Sequence, residues 1–133
     1  MDCLKNNNYS DTNEIEVSVV IPCLNEEKTI GTCIEKARRV FQEHNINGEI
    51  IISDNGSIDK SVDVALKLGA KVVHQPLRGY GNAYLKGISG ASGKYIVMGD
   101  GDNTYDFLEI YKFIEPLRNN NADMVMGSSI TRF

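Results

Sequence analysis

From Val17 onward, short apolar runs rich in β-branched residues alternate with longer amphipathic stretches, and this alternation constrains the fold more than any other feature of the chain. VSVVIP (Val17–Pro22) reads as a strand covered on both faces. Between Glu27 and His44, the residues Ile30, Cys33, Ile34, Ala37, Val40 and Phe41 recur at three- and four-residue spacing, the stripe of a helix. GEIIISD (Gly48–Asp54) is a second strand, Asp59 to Leu68 a helix stopped by Gly69, and KVVH (Lys71–His74) a third strand. Gly81 to Ser89 is a shorter helix, and KYIVMGD (Lys94–Asp100) a fourth strand. Phe107 to Leu117 is a helix with Pro116 expected to mark its end, and DMVMGS (Asp123–Ser128) a fifth strand. The order β-α-β-α-β-α-β-α-β predicts an α/β fold: a mainly parallel sheet with right-handed crossovers and helices on both faces. Residues 1–14 are polar and are expected to be disordered, which leaves 15–133 as a single domain-sized unit.

In such sheets a ligand lies outside the carboxyl ends of the strands, near the point where the strand order reverses, so the residues that follow each strand are the informative ones. They are Pro22-Cys23-Leu24-Asn25-Glu26-Glu27, Asp54-Asn55-Gly56-Ser57, His74 to Gly81, and Gly99 to Thr104. Loops are polar in general, which accounts for the Ser, Asn and Gly; it accounts less well for two strands that end in carboxylates at one edge. The formal net charge of −4 argues against a protein held to nucleic acid by a basic surface. No apolar stretch approaches the ~20 residues of a membrane span, and the N-terminus lacks the apolar segment of a secretory signal. Cys3, Cys23 and Cys33 are odd in number and lack CxxC spacing, which speaks against a disulfide framework or zinc site and for a reducing cytoplasm.

Asp100-Gly101-Asp102 is the sharpest local feature. Two carboxylates at i and i+2 leaving a strand can point to one side, and the glycine between them allows close backbone approach to a ligand. Carboxylate oxygens suit Mg²⁺ or Mn²⁺, and Mg²⁺ is usually held by one or two carboxylates together with substrate phosphates. The pair is therefore half a metal site, with a diphosphate supplying the rest. An EF-hand loop from Asp100 fails because Tyr105 and Tyr111 occupy the Gly and Glu positions. A Walker A loop ending at Gly93-Lys94 fails at Ile88 and Tyr95, and a dinucleotide fingerprint beginning at Gly79 fails at Tyr84. Arg78-Gly79-Tyr80-Gly81 is left as a turn whose Arg78 faces either a phosphate or solvent. Asp54 and Asn55 leave the second strand as acceptors suited to a nucleobase or a ribose, with a purely structural role equally open. Ser57 and Asp59 fit a helix cap.

Taken in order, VSVVIPCLNEEKTI, IIISDNGSIDKSV, RGYGNAYLKGI and GKYIVMGDGDNTYDF resemble the family 2 glycosyltransferases of GT-A fold, and among them the dolichyl- or polyprenyl-phosphate sugar transferases. The likeness runs from Val17 to about Ser128. It implies that Pro22, Leu24 and Glu26 line a nucleotide pocket, that Asp54 and Asn55 contact base or ribose, and that Asp100 and Asp102 form the metal–diphosphate site. It further implies that Thr104 touches metal or phosphate through water. The chain departs from the family pattern at Leu24, where members commonly carry an aromatic residue, and at Asn55, where they commonly carry Asp. It departs again at Ser129, where relatives often carry an Arg after Gly-Ser; the nearest here is Arg132.

The expectation is thus the donor-binding part of an inverting glycosyltransferase, with the acceptor-side half, including the catalytic base, outside this chain. Its ligands would be a UDP- or GDP-linked sugar, Mg²⁺ or Mn²⁺ and a lipid-phosphate acceptor, with Asp102 as the catalytic residue and a homodimer allowed. Two alternatives remain at this point. A nucleotidyltransferase usually carries a basic, glycine-rich loop after its first strand, where this chain has the acidic PCLNEE. A non-catalytic nucleotide-sugar-binding domain would be separated by a turnover assay.

Overall fold

A computed structural model describes residues 1–12, 14–126 and 129–131, the last three as backbone only. Seven strands form one sheet in the order β4-β3-β2-β5-β1-β6-β7: β1 Asp2–Lys5, β2 Val17–Cys23, β3 Gly48–Asp54, β4 Lys71–His74, β5 Tyr95–Met98, β6 Met124–Met126 and β7 Ser129–Thr131. The helices are α1 Ile30–Glu43, α2 Ser61–Lys67, α3 Tyr80–Ser89 and α4 Ile110–Arg118, the last entered through a 3₁₀ turn at Phe107–Glu109. β2 pairs in parallel with β3 and β5, and β3 with β4. β1 is antiparallel to both β5 and β6, so β2 to β6 all run in one direction with β1 and β7 opposed. The mainly parallel α/β reading therefore stands.

Side-chain alternation sorts the core onto two faces. Val17, Val19, Ile21 and Cys23 of β2 join Ile50 and Ile52 of β3 and Tyr95 and Val97 of β5 in the larger cluster, which takes in the apolar stripes of α1 and α4. Val20, Ile51 and Ile96 point to the other face, where Tyr84 and Ile88 of α3 cover them. α3 lies close enough that a Cβ on Gly87 would run into Val20. Its N-terminal half, with Tyr80 and Tyr84, is thereby brought to the strand exits.

The N-terminus corrects the expectation of disorder: Asp2–Lys5 is a strand inside the sheet, with Cys3 fully buried. Backbone pairing on both flanks fixes it, aided by Asn6 Nδ2 donating to the Gly93 carbonyl at 2.9 Å and by Lys5 3.2 Å from Asp123. Pro116 does not end its helix. It sits in the last turn and α4 runs on to Arg118, its apolar Ile110, Ile114 and Leu117 buried on either side of the proline. Arg118 then clamps Glu16 with two 2.8 Å hydrogen bonds, tying α4 to the segment that enters β2. The fifth predicted strand is present as β6; its expected last residues Gly127 and Ser128, and Arg132, lie outside the described residues. Among the described residues no helix is long and apolar enough to cross a membrane.

Candidate functional site

The chain runs from β2 outward to β3 and β4, then returns to place β5 on the other side of β2, so the strand order reverses between β2 and β5. The loops leaving those two strands diverge and open a crevice. Two cavities lie along it. One, of about 220 Å³, is lined by Cys23, Leu24, Glu26, Asn55, Gly79 and Tyr80. The other, of about 290 Å³, is lined by Met1 and Asp2, Tyr80 and Tyr84 of α3, Met98, Asp100 and Tyr105. Tyr80 belongs to both.

The loop after β5 is held from behind. Thr29 Oγ1, at the start of α1, donates to the Gly101 carbonyl at 2.7 Å, and the Tyr84 hydroxyl donates to Asp100 Oδ1 at 2.7 Å. The Thr104 amide donates to Asp102 Oδ1 at 2.9 Å. Asp102 is otherwise exposed, and its pKa is lowered by the Thr104 side chain and amide. Thr104 thus supports Asp102. A Cβ on Gly101 would lie 2.8 Å from Ile30 Cδ1 and 3.3 Å from Glu26 Oε2. The bare backbone of Gly101 thus packs closely against the core and Glu26.

Glu26 projects into the same crevice with its Oε2 buried and without a hydrogen-bond partner. Burial raises its pKa, and the negative charges of Asp102, Asp100 and Asp59 raise it further against a lowering hydrogen bond from Leu24. Asp100 likewise raises the pKa of Tyr80. Glu26, Asp59, Asp100 and Asp102 thus bring negative charge close together in the crevice. Among the described residues no three His, Cys, Asp or Glu side chains converge on a point that could hold a metal ion.

The loop after β3 is built differently. Asp54 is buried, and its Oδ2 accepts from the amides of Gly56 and Ser57, each at 3.0 Å, while Oδ1 has no partner. His74 Nδ1 lies 3.8 Å from Oδ2. Asn55 spends its side chain on the next loop: Nδ2 donates to the Gln75 and Leu77 carbonyls at 2.9 and 3.0 Å, and Oδ1 accepts from the Gly79 amide at 3.1 Å. Asn55 therefore shapes a wall of the first cavity and sets where α3 begins. Lys60 stands at the cap position of α2 without a side-chain bond, and Asp59 supplies one instead, its Oδ1 accepting from the Ser61 amide at 2.9 Å; Ser57 lies too far ahead to cap the helix. Ser57 and Asp59 tie this loop to the one after β2, Ser57 Oγ accepting from the Asn25 amide at 2.9 Å and Asp59 Oδ2 from the Glu27 amide at 3.1 Å.

Of the residues singled out from the sequence, Leu24, Glu26 and Asn55 meet in the first cavity and Asp100 opens on the second, with Gly101, Asp102 and Thr104 in the same loop. Pro22 is buried within β2 and does not line the cavity; Cys23 does, with burial pushing its thiol pKa up to about 11, so it stays a neutral wall residue. Arg78 is exposed on the loop before α3. Tyr80 and Tyr84 were missed. Their only signal was a helical pitch that stacks positions 80 and 84 on one face.

A family model described as "Glycosyl transferase family 2" matches residues 18–133. The chain is 42% identical over 114 residues to the low-salt glycan biosynthesis hexosyltransferase Agl6 of Haloferax volcanii, covering 86% of this chain and 27% of that protein. It is 32% identical over 117 residues to a dolichyl-phosphate hexose transferase of the same organism, covering 88% and 49%. The crystal structure of glucosyl-3-phosphoglycerate synthase from Mycobacterium tuberculosis in complex with Mn²⁺, UDP and glucosyl-3-phosphoglycerate superposes with a TM-score of 0.66 at 31% identity, over 78% of this chain and 40% of that one. The chain thus spans from about a quarter to a half of the length of these relatives.

Proposed function

The chain belongs to glycosyl transferase family 2, and on that premise we propose that it binds a nucleotide-diphosphate sugar across the β2–β5 crevice and serves inverting sugar transfer, with a divalent cation at Asp100 and Asp102. The observation that carries this reading is that Tyr80 lines both cavities, with Asp100 lining the second. A nucleoside in the first cavity and a sugar in the second would leave the diphosphate between them, next to the carboxylates. The UDP and Mn²⁺ held by the similar mycobacterial synthase support uracil as the base and Mn²⁺ as a competent ion, with GDP and Mg²⁺ as the alternatives to be compared.

The side chains present fit a divalent cation. Asp102 is open and ionised, Asp100 offers the oxygen that Tyr84 does not use, and the crowding felt by Glu26 is a negative field that a cation relieves. Two carboxylates would fill only part of a cation's coordination sphere and would leave the rest to diphosphate oxygens. Such a cation, when bound, offsets the charge that develops on the departing diphosphate. The chain's own part is to fix the donor: Leu24 and Cys23 wall the nucleoside, Glu26 is the carboxylate that lines the same cavity and is available to base or ribose, and Tyr80 separates the nucleoside from the sugar, whereas Asp54, whose Oδ1 is buried, does not line that cavity. Arg78 is available to the phosphates from the loop before α3.

In the transfer an acceptor oxygen attacks the anomeric carbon opposite the diphosphate. The new carbon–oxygen bond forms as the bond to the phosphate oxygen breaks, the electron pair leaves on the nucleoside diphosphate, and the configuration inverts. A lipid phosphate is the proposed acceptor, supported by likeness to a dolichyl-phosphate hexose transferase. Its oxygen is already anionic at neutral pH and needs no strong general base. A cytoplasmic site of action is supported by three free, buried cysteines.

Calorimetric titration of UDP and GDP with and without Mn²⁺ tests the proposal. One nucleotide is expected to bind at least tenfold more tightly with the metal; equal affinity in both conditions for both nucleotides refutes it.

A further inference from the structure

Behind the two carboxylates stands a tyrosine that the proposed chemistry does not use. Tyr84 lies mid-way along α3, its ring packed on the Val20, Ile51 and Ile96 cluster, on the sheet face opposite α1. Its hydroxyl reaches the rim of the second cavity and donates to Asp100 Oδ1 at 2.7 Å. From the other face Thr29 Oγ1 grips the next residue, donating to the Gly101 carbonyl at 2.7 Å. The loop that carries both carboxylates is therefore clamped across the sheet edge by one helix from each face.

We propose that Tyr84 is a positioning residue for this site: by occupying one oxygen of Asp100 it fixes the carboxylate's rotation and leaves the other oxygen for a divalent cation. The inference rests on the reading of Asp100 and Asp102 as the metal–diphosphate site. A carboxylate at a strand exit can turn about its side-chain torsions, and a cation must then select one orientation at an entropic cost. A hydrogen bond from a ring already packed against the sheet reduces that cost beforehand, and an uncharged donor does so without cancelling the charge the cation needs. The hydroxyl is the donor in this 2.7 Å contact, since a carboxylate oxygen can only accept. Asp102, two residues on, is held by the backbone and side chain of Thr104 instead, so the two carboxylates are oriented by separate devices.

The test is Mn²⁺ uptake, read from the loss of the free-Mn²⁺ electron paramagnetic resonance signal, in wild type and Tyr84→Phe at saturating UDP. A parallel UDP titration is run without metal. Outer-shell partners of metal ligands commonly contribute ten- to a hundredfold in affinity. The expected result is a Mn²⁺ dissociation constant raised about tenfold in Tyr84→Phe, with metal-free UDP affinity within twofold of wild type. In an Asp100→Asn background the same change is expected to add nothing. Mn²⁺ affinity within twofold of wild type overturns the role, as does a metal-free UDP affinity that falls by the same factor, since that describes a change in pocket shape. Should Tyr84→Phe lose its fold, Tyr84→Met, which refills the slot without a hydroxyl, is read by the same criteria. Wild type that takes up no Mn²⁺ with UDP refutes the metal reading itself, whereas wild type that does so alongside an equally competent Tyr84→Phe refutes only the role of Tyr84.

Discussion

Two strand exits carry paired polar residues, and they are put to opposite uses. After β3, Asp54 and Asn55 are buried and most of their hydrogen-bonding capacity is spent inside the chain, on Gly56 and Ser57 and on the 75–79 loop. After β5, Asp102 is exposed and Asp100 half-buried, and their supports come from behind, leaving oxygens toward the crevice. A buried polar group has to be satisfied within the chain or cost stability, so the first exit is a frame. A carboxylate in solvent loses little by waiting for a ligand, so the second exit is where external charge can be met. Similar letters in the sequence thus divide by burial into bonds spent inside the chain and oxygens left open.

The largest effect expected from breaking this division is at the open exit. Asp102→Asn should lower Mn²⁺-dependent release of UDP from a UDP-sugar about a hundredfold or more, the scale on which one group that stabilises developing charge acts. Its circular dichroism spectrum should match that of wild type. Near wild-type turnover in a folded variant would contradict the assignment. At the framed exit the damage should go to folding instead. Asn55→Ala removes three hydrogen bonds to the 75–79 loop, and the partners left behind should cost about 2 kcal/mol in a urea unfolding measurement. A loss of nucleotide affinity with stability intact would instead make Asn55 a reader of the ligand.

The frame was the harder exit to read from sequence. β2, β3 and β4 were legible as short apolar runs rich in β-branched residues, and α1 because its apolar residues recur at three- and four-residue spacing. β1 was not, because its contribution to the core rests on Cys3 and Leu4 alone, flanked by polar residues, and it is pairing on both sides that makes it a strand. The structural bonds of Asn55 were not legible because its partners are carbonyls from a loop about twenty positions on, which no local pattern announces. Asp100 and Asp102 were legible, since carboxylates two apart at a strand exit carry their own chemical meaning. The supports Tyr84 and Thr29 were not, because their roles depend on where α3 and α1 lie relative to β5.

The smallest expected effect lies between the two exits, at Glu26. Its carboxyl has a pKa raised above the ordinary 4.5 by burial and neighbouring acids, so the folded chain holds that proton more tightly than the unfolded chain. The stability this contributes is present below about pH 4.5 and is lost as pH rises through the folded value. Above that value wild type bears a poorly solvated carboxylate that Glu26→Gln lacks. Without metal, the variant should melt about 2 °C higher than wild type at pH 7.5 and match it below pH 4.5. A variant that melts lower at pH 7.5 would show that Glu26 is stabilised as the anion.

The central claim, that the exit after β5 answers to a metal ion and the exit after β3 does not, is tested most directly by one ratio: the UDP dissociation constant without Mn²⁺ divided by that with Mn²⁺. Measured by calorimetry in wild type, Asp102→Asn and Asp54→Asn, it should be at least ten in wild type and fall to about one in Asp102→Asn. Asp54→Asn keeps an oxygen to accept from Gly56 and Ser57, so it should retain the wild-type ratio even if both of its constants weaken. A ratio that survives in Asp102→Asn, or collapses in Asp54→Asn, would contradict the account.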